Sequence, residues 1–266
     1  MIATTLRFKI KCFIMNVQLL RNASLVLKVN GKTILVDPML AGKGSYEPFM
    51  HTSRNIKNPL VDLPIGEQEL RSLISQTDAV LLTHVHLDHW DIKAQQLLPK
   101  DILIFCQPAN VATLGEQGFT NVVSVDHRTD WDEITIYRTG GQHGTGETGK
   151  RMGTVSGYVI KHNADSLYIA GDTIWCQEVQ DALDTFKPRD IIVNGGAARF
   201  VTGDPIVMDI ADIVTLCIYA SDAKVYVVHL EAVNHGTESR MDIRDALEKH
   251  KLSGQCAVPM DGEWFK

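Results

Sequence analysis

The chain has 266 residues, of which 44% are hydrophobic and 22% are charged, a composition typical of a soluble globular protein. This composition argues against intrinsic disorder and against a membrane span. The formal net charge of −6 creates no overall positive field, so we predict neither nucleic acid nor an anionic membrane as a partner.

The N-terminal segment, residues 1–14, carries separated basic residues and lacks the continuous apolar stretch of a secretory signal. We therefore predict that residues 1–14 form an extension and that residues 15–266 form one domain. The five cysteines are widely spaced and include no Cys-x-x-Cys pair. This pattern is typical of reduced thiols and predicts a cytoplasmic protein.

Three β-type runs follow from Asn16, and the Asn30-Gly31 pair separates the second run from the third. An Asn-Gly pair between strand-like runs predicts a two-residue hairpin, so the domain should begin with antiparallel sheet. The third run ends at Asp37-Pro38, and an aspartate before proline is itself typical of a turn.

Residues 41–66 are rich in glycine and proline and lack both helical and strand periodicity. A structureless loop of this length usually covers or builds a functional site. We regard three of its side chains as candidate substrate contacts, with a solvated surface position as the alternative for each: His51, Arg54 and Asn55.

Residues 80–91 read VLLTHVHLDHWD, in which an apolar run leads into four candidate metal ligands: His84, His86, Asp88 and His89. Imidazoles and a carboxylate crowded directly after a buried strand lose hydration, and a shared cation offsets that loss. The spacing His-x-His-x-Asp-His therefore predicts a metal site rather than a polar loop.

Helical and strand patterns alternate around this cluster, which predicts α/β layers. Residues 67–76 have apolar side chains at helical spacing and precede the cluster. The predicted elements that follow are helices over 91–98 and 110–118 and strands over 101–106, 121–125 and 131–140.

His143 follows the predicted strand over 131–140, where a lone histidine is either structural or a further ligand. Residues 144–150 read GTGETGK and match a phosphate-binding glycine pattern. However, Arg151 stands where that pattern needs Ser or Thr, and the strand-like flanks predict no helix to receive a pyrophosphate. We therefore predict a mobile loop beside the site, with Lys150 and Arg151 available to an anionic substrate group.

Further candidates lie at the ends of later strand-like runs. Asp172 follows Gly171, beside which the backbone can approach a metal, with a helix-capping aspartate as the alternative. Asn194 ends the run DIIVN. KVYVV, predicted as the last strand, is followed by His229 and then by His235, and one histidine of this pair is expected to be a ligand.

The His-x-His-x-Asp-His cluster and the order of the later candidates resemble the metallo-β-lactamase-fold hydrolases from Met15 to the C-terminal helix. Within that superfamily, Asp37-Pro38 and the ending VVHLEAVNH look most like the ascorbate-6-phosphate lactonase-like branch. The resemblance implies an α/β fold, a four-layer αββα sandwich with the site at one edge. It also implies that Asp37 hydrogen-bonds the metal loop, and it favours His229 over His235 as the final ligand.

On this resemblance, two divalent ions share seven ligands. One ion is expected on His84, His86 and His143 and the other on Asp88, His89 and His229, with Asp172 bridging both. Ligands without thiolate suit zinc, with manganese or iron as alternatives.

The expected activity is hydrolysis of a small-molecule lactone, ester, amide or phosphoester by a hydroxide formed from metal-bound water. Asp88 is expected to steer the proton of the nucleophile, and His235 is the second catalytic candidate, as a substrate contact or a support for the ligands. Asn194 is expected to be a structural neighbour of the site.

Two other functions stay open. One is a phosphodiesterase or nuclease of the ribonuclease Z or J type, against which the negative net charge argues. The other is a non-catalytic metal-binding protein, for which a degraded ligand set would be expected, whereas all seven positions are intact. The sequence leaves open the identity of the substrate and whether the protein is a homo-oligomer.

Overall fold

The computed structural model describes residues 15–266, so the predicted extension over residues 1–14 lies outside the described residues. Within that range the strands are β1 Asn16–Arg21, β2 Ser24–Val29, β3 Lys32–Val36, β4 Ala79–Leu82, β5 Leu103–Cys106, β6 Val122–Ser124, β7 Arg128–Trp131, β8 Ile134–Thr139, β9 Gly157–His162, β10 Asp165–Ile169, β11 Asp190–Asn194, β12 Lys224–Val228 and β13 Cys256–Ala257.

The helices of the same range are α1 Glu67–Ser75, α2 Ile92–Leu97, α3 Val111–Glu116, α4 Gly146–Met152, α5 Gln177–Phe186, α6 Ile210–Tyr219 and α7 Arg240–Lys249. A single 3₁₀ turn, Pro108–Asn110, precedes α3. No helix in residues 15–266 combines the length and the apolar character needed to cross a bilayer.

The strands form two sheets. The first has the order β1-β2-β3-β4-β5-β6 and begins antiparallel around the Asn30-Gly31 turn. From β3 to β6 its strands run parallel, because α1, α2 and α3 provide the crossovers that parallel pairing requires. The second has the order β13-β12-β11-β10-β9-β8-β7, antiparallel from β7 to β10 and parallel from β10 to β13.

Three apolar layers hold the two sheets and the helices together. Side chains of both sheets meet in the central layer, where Leu81 and Ile160 are fully buried. The outer face of the first sheet packs on α1 to α3, for example through Leu114. The outer face of the second packs on α5 to α7 through residues such as Ile213 and Ile243. The resulting order of helix, sheet, sheet and helix confirms the predicted αββα sandwich.

The polar candidates meet where β3, β4, β8, β10, β11 and β12 end, at one edge of the sandwich. Two of the residues that follow these strands have strained backbones: Asp37 has φ of 43° and His229 has φ of 67°. Residues other than glycine seldom adopt such angles, and those that do cluster at functional sites.

Two of the predicted strands differ from the structure. The strand expected over 131–140 is interrupted by a tight turn at Asp132 and Glu133, with φ of 50° and 63°, and the chain preceding the turn forms β7. This turn lacks the glycine or asparagine that signals a hairpin in sequence. The prediction that KVYVV is the last strand is also wrong, because β13 pairs parallel to β12.

The prediction of a mobile loop over residues 144–150 is wrong, because α4 begins at Gly146. Glu147 and Lys150 form an ion pair one turn apart, at 2.6 Å between Oε1 and Nζ. Gly149 packs so closely on Gly144 that a Cβ at residue 149 would lie 2.5 Å from the Gly144 carbonyl oxygen. The glycines therefore allow a helical turn to fold tightly against the chain that follows β8.

Candidate metal centre

The seven predicted ligands lie together in two groups. Within each group, one potential ligand atom per residue lies within 4.8 Å of all the others. The first group is His84, His86 and His143, and the second is Asp88, His89, Asp172 and His229. Six of these side chains are buried and His86 is half-buried, which leaves one side of the first group open toward solvent.

Asp172 lies between the two groups. Its Oδ2 is 3.9 Å from His84 Nε2 and 3.5 Å from His143 Nε2, both in the first group. The same oxygen is 3.2 Å from His89 Nε2 in the second group, and Asp172 Oδ1 is 3.9 Å from His229 Nε2. A carboxylate in this position can be shared by two cations.

The spacing of these atoms fits ligands around an ion. Zinc bonds imidazole nitrogen at about 2.0–2.1 Å, so two nitrogens on a tetrahedral ion lie about 3.4 Å apart. Asp88 Oδ2 is 3.2 Å from His229 Nε2 and 3.8 Å from His89 Nε2. The second group therefore has the separations expected of atoms that converge on one small cation.

Hydrogen bonds hold three of the imidazoles through their Nδ1 atoms. His84 Nδ1 lies 3.0 Å from Thr83 Oγ1, and His89 Nδ1 lies 2.8 Å from Asp37 Oδ2. His143 Nδ1 lies 2.7 Å from the carbonyl oxygen of Ile206. This arrangement directs each Nε2 toward the centre, as outer partners of metal-binding histidines do.

The Nε2 atom of His84 is buried and has no hydrogen-bond partner among residues 15–266, and the buried Nε2 atom of His89 lies 3.2 Å from Asp172 Oδ2 without the alignment of a hydrogen bond. A buried polar atom without a partner costs about 1–3 kcal/mol, so such atoms are rare unless something else satisfies them. An unpaired nitrogen of His84 and a poorly aligned nitrogen of His89, both facing Asp172, fit a bound divalent cation.

Further polar groups fix the carboxylates and the loop. The Asp37 carboxylate accepts hydrogen bonds from Thr83 N at 2.8 Å and Thr83 Oγ1 at 2.6 Å, which anchors the start of the metal loop. Asn194 Nδ2 donates to Asp172 Oδ1 at 2.7 Å. Asn22 Nδ2 donates to the Asp88 carbonyl oxygen at 3.0 Å. The Asn22 carbonyl accepts from His229 N at 2.9 Å.

Burial and charge set the protonation of the centre. Burial lowers the pKa of His84 well below its usual value and lowers that of His143, so both imidazoles are neutral, as a metal requires. Burial opposes ionisation of Asp88 and Asp172, but His89 and His229 outweigh it and lower the pKa of both carboxyl groups.

The pKa of His89 is shifted in the opposite direction to the pKa values of His84 and His143. Burial tends to lower its pKa, but the nearby carboxylates of Asp172, Asp88 and Asp37 together raise the pKa well above the usual value for histidine. Without metal, His89 is therefore an imidazolium at neutral pH, and its positive charge stands where the carboxylates attract a cation. A histidine must be neutral to bind a metal ion, so a bound ion has to displace this proton.

Metal loading is consequently expected to release about one proton per chain from His89 at pH 7, in addition to the proton lost by water that ionises on the bound ions. Isothermal titration of the metal-free protein with zinc, repeated in buffers of different ionisation enthalpy, measures this number. The release should decline above the raised pKa of His89, where the imidazole is already neutral. Zinc binding without proton release at pH 7 would contradict the assigned charge state of His89.

A cavity of about 300 Å³ opens beside the two groups. Of the predicted substrate contacts, His51 and Arg151 line this cavity, whereas Arg54, Asn55 and Lys150 are exposed and outside its lining. His235 also lines the cavity and is in neither ligand group. Burial lowers the pKa of His235 to about 4, and its Nδ1 is buried without a partner in the described residues.

Sequence reasoning missed several residues at this site. Ile206 acts through its backbone carbonyl, for which no side-chain signal exists, and Asn22 acts through both its side-chain amide and its backbone carbonyl. Asn234 is buried and hydrogen-bonds both backbone groups of Phe49, from Phe49 N to Oδ1 at 3.1 Å and from Nδ2 to the carbonyl oxygen at 3.2 Å. Asn58 Nδ2 also donates to Asn234 Oδ1, at 2.9 Å. Asparagine in a glycine-rich region signals only a turn.

Comparisons with known proteins agree with this fold. A family model for a beta-lactamase superfamily domain matches residues 32–230. The chain is also 40% identical over 255 residues to the UPF0173 protein YddR of Bacillus subtilis, covering 94% of this chain and 99% of that protein. The chain belongs to the beta-lactamase superfamily.

Two solved structures are similar to this protein over nearly the whole chain. An isothiocyanate hydrolase from Delia radicum gut bacteria is 35% identical, with a TM-score of 0.89 and coverage of 95% of this chain and 99% of that one. A protein from Veillonella parvula described as a possible metal-dependent hydrolase is 33% identical, with a TM-score of 0.90 and coverage of 96% and 99%.

These comparisons confirm three of the predictions: the superfamily, the metallo-β-lactamase fold and an enzyme of the metal-dependent hydrolase class. The lactonase-like branch stays a prediction, and so do the number and identity of the metal ions.

Proposed function

We propose that the protein is a binuclear metal-dependent hydrolase that cleaves a small electrophilic substrate in the cavity beside the two ligand groups. The single observation that carries this proposal is the position of Asp172 between the groups, at 3.5 Å from His143 Nε2 and 3.2 Å from His89 Nε2. Zinc is the first choice of metal because the ligands are imidazoles and carboxylates without thiolate, with manganese or iron as alternatives.

The ligand roles follow the two groups. His84, His86 and His143 would hold one ion and Asp88, His89 and His229 would hold the other, with Asp172 close enough to both groups to be shared. His229 rather than His235 completes the second group, because its Nε2 lies 3.2 Å from Asp88 Oδ2. When bound, the ions supply Lewis acidity and lower the pKa of water to about 7.

Two residues of the chain orient the nucleophile and the substrate. Asp88 lines the cavity, and its lowered pKa keeps the carboxylate ionised, so it orients the nucleophile by accepting a hydrogen bond. His235 lies in the same lining as a neutral imidazole, because burial lowers its pKa to about 4. A neutral imidazole is a poor general acid at pH 7 but a good hydrogen-bond donor, so His235 orients the substrate.

The substrate class is a compact molecule with an electrophilic carbon, such as an ester, lactone, amide or isothiocyanate. The isothiocyanate is included because a similar structure is an isothiocyanate hydrolase. In that reaction water adds to the carbon of R–N=C=S, and cleavage of the C–N bond gives R–NH₂ and carbonyl sulfide. Every substrate in this class needs the same nucleophile at one electrophilic carbon, which a single centre can supply.

A panel of substrates tests this proposal. The purified protein is assayed with benzyl isothiocyanate, a γ-lactone, phenyl acetate, an anilide and a phosphodiester, before and after chelation and after return of zinc or manganese. We expect turnover of a carbon electrophile that is lost on chelation and restored by metal. Turnover that survives complete metal removal would refute the proposal. Turnover of the phosphodiester alone would instead favour the phosphodiesterase alternative.

Asp37 is expected to support the centre without touching an ion. Changing Asp37 to Asn keeps the shape of the side chain and tolerates its φ of 43°, but weakens its bonds to Thr83 and His89. Metal affinity should fall by about 10- to 100-fold, the usual cost of losing an outer partner. Competition with a fluorescent chelator measures the affinity, and Asp101→Asn at an exposed position serves as the control. Equal affinities would contradict this role for Asp37.

A further inference from the structure

The cavity beside the ligand groups has two chemically different ends. One end holds the imidazoles and carboxylates of the proposed centre. The other is lined by six apolar side chains: Phe49, Met50, Leu87, Met152, Phe200 and Ile206. A metal centre alone does not require so many large apolar side chains at its entrance, where all of them except the fully buried Ile206 lose favourable burial if nothing covers them.

The apolar side chains come from four separate segments that the fold holds in place. Phe49 belongs to the long loop after β3, which Asn234 holds by the two hydrogen bonds to its backbone. Leu87 lies within the metal loop, and Met152 ends α4. Ile206 is fully buried and is fixed by the bond between its carbonyl oxygen and His143 Nδ1. Four segments of the fold, two of them fixed by these hydrogen bonds, therefore meet in one apolar wall.

The cations near this wall are already engaged. Arg151 lines the cavity, but its guanidinium carbon lies 5.7 Å from the centre of the Phe200 ring, the geometry of a cation–π contact. Lys150 pairs with Glu147 outside the cavity. The only carboxylates in the lining, within residues 15–266, are Asp88 and Asp172 at the metal end. The wall therefore suits an uncharged group.

We propose that this wall is a subsite for an uncharged alkyl or aryl tail of the substrate. The inference rests on the proposed function, because the reacting group must sit at the metal end for the tail to reach the wall. A cavity of about 300 Å³ holds about ten non-hydrogen atoms, if each takes the volume of a water molecule. The substrate is therefore a compact molecule with one electrophilic head and one apolar tail.

Binding of hydroxamates to the metal-loaded protein tests the subsite without turnover, since a hydroxamate head chelates divalent ions. Acetohydroxamate, hexanohydroxamate and the monohydroxamate of adipic acid share this head and differ in the tail. Hexanohydroxamate has four more methylenes than acetohydroxamate, and each contributes about 2.5-fold to fourfold when buried, so it should bind about 40- to 250-fold tighter. The adipic compound should lose this advantage, because its carboxylate would lose hydration against the wall.

Substitutions in and beside the apolar wall test whether the tail of the hydroxamate binds there. Phe200→Ala should reduce the preference for the longer tail about tenfold, with the affinity for acetohydroxamate unchanged. Val201→Ala is the matched control, because Val201 is adjacent, 68% exposed and outside the cavity lining. Far-UV circular dichroism and the thermal midpoint verify the fold of each variant, and Met152→Ala repeats the test if Phe200→Ala fails to fold.

The possible failures are distinguishable. If acetohydroxamate and hexanohydroxamate bind with equal affinity, the apolar subsite is refuted, whereas the proposed metal centre is still supported. If the adipic compound binds most tightly, Arg151 binds an anionic group of the substrate, and the apolar subsite is also refuted. If no hydroxamate binds to protein incubated with zinc, the proposed centre fails and the subsite fails with it.

Discussion

Changing Asp172 to Asn is expected to abolish hydrolysis by removing charge from the one carboxylate that lies between both ligand groups. The amide is nearly the same size as the carboxylate and can still accept the hydrogen bond from Asn194 Nδ2. It carries no negative charge toward His84, His89 and His143, which now surround Asp172 Oδ2 at 3.2–3.9 Å. We expect less than one metal equivalent per chain.

The rate should fall by about 10³-fold or more, because the metal centre provides several kcal/mol of transition-state stabilisation. Initial rates on the best substrate of the panel measure this loss, and plasma mass spectrometry measures the metal. Asp101→Asn, the exposed substitution of the same kind, should match the unchanged protein in both measurements. Two retained metal equivalents with full activity would show that Asp172 is not a bridging ligand.

Changing Asp88 to Ala is expected to remove one metal ion, whereas changing Asp172 to Asn is expected to remove both. Asp88 belongs to the second group only, and its Oδ2 lies 3.2 Å from His229 Nε2. The variant should keep about one metal equivalent on His84, His86 and His143 and lose the other. Hydrolysis should fall by about 10²- to 10⁴-fold, the range for loss of a group that positions a proton.

The comparison of these two variants separates the roles of the carboxylates. Loss of both ions in the Asp172 variant and of one ion in the Asp88 variant is the pattern expected for a bridged pair. Near-ultraviolet circular dichroism and the thermal midpoint establish that the Asp88 variant is folded before its activity is interpreted. Full activity in a folded Asp88→Ala variant would contradict the proposed mechanism.

Local patterns in the sequence were sufficient for most of the fold. The Asn30-Gly31 turn and the alternation of helix and strand each occupy a short segment, so their signals are complete in sequence. The metal cluster is likewise contained within residues 84–89. Its dense polar composition has no ready explanation other than a cation.

Features that depend on contacts between residues far apart in the chain could not be predicted from the sequence. The turn at Asp132 and Glu133 uses residues that signal no hairpin, and β13 has two residues, too few for a periodic pattern. The segment over 144–150 looks like a flexible loop until the packing of Gly149 on Gly144 is known. The apolar wall assembles side chains separated by more than a hundred positions in the chain, such as Phe49 and Phe200.

The same limit applies within the site. His143, Asp172 and His229 were each ambiguous alone, because a single histidine or aspartate at a strand end often has a structural role. Their interpretation as metal ligands depends on the strands that bring them to one edge of the sandwich. There they lie 3.2–3.9 Å from one another or from the cluster. The choice between His229 and His235 depended on the same assembly, because one lies against Asp88 and the other against Phe49.

The metal content of the active protein tests the central claim most directly. Metal-free protein is titrated with zinc or manganese while bound metal and hydrolysis are measured in the same samples. We expect two equivalents per chain at saturation, with hydrolysis rising to its maximum only as the second equivalent binds. Full hydrolysis with one equivalent, or with none, would contradict the binuclear account.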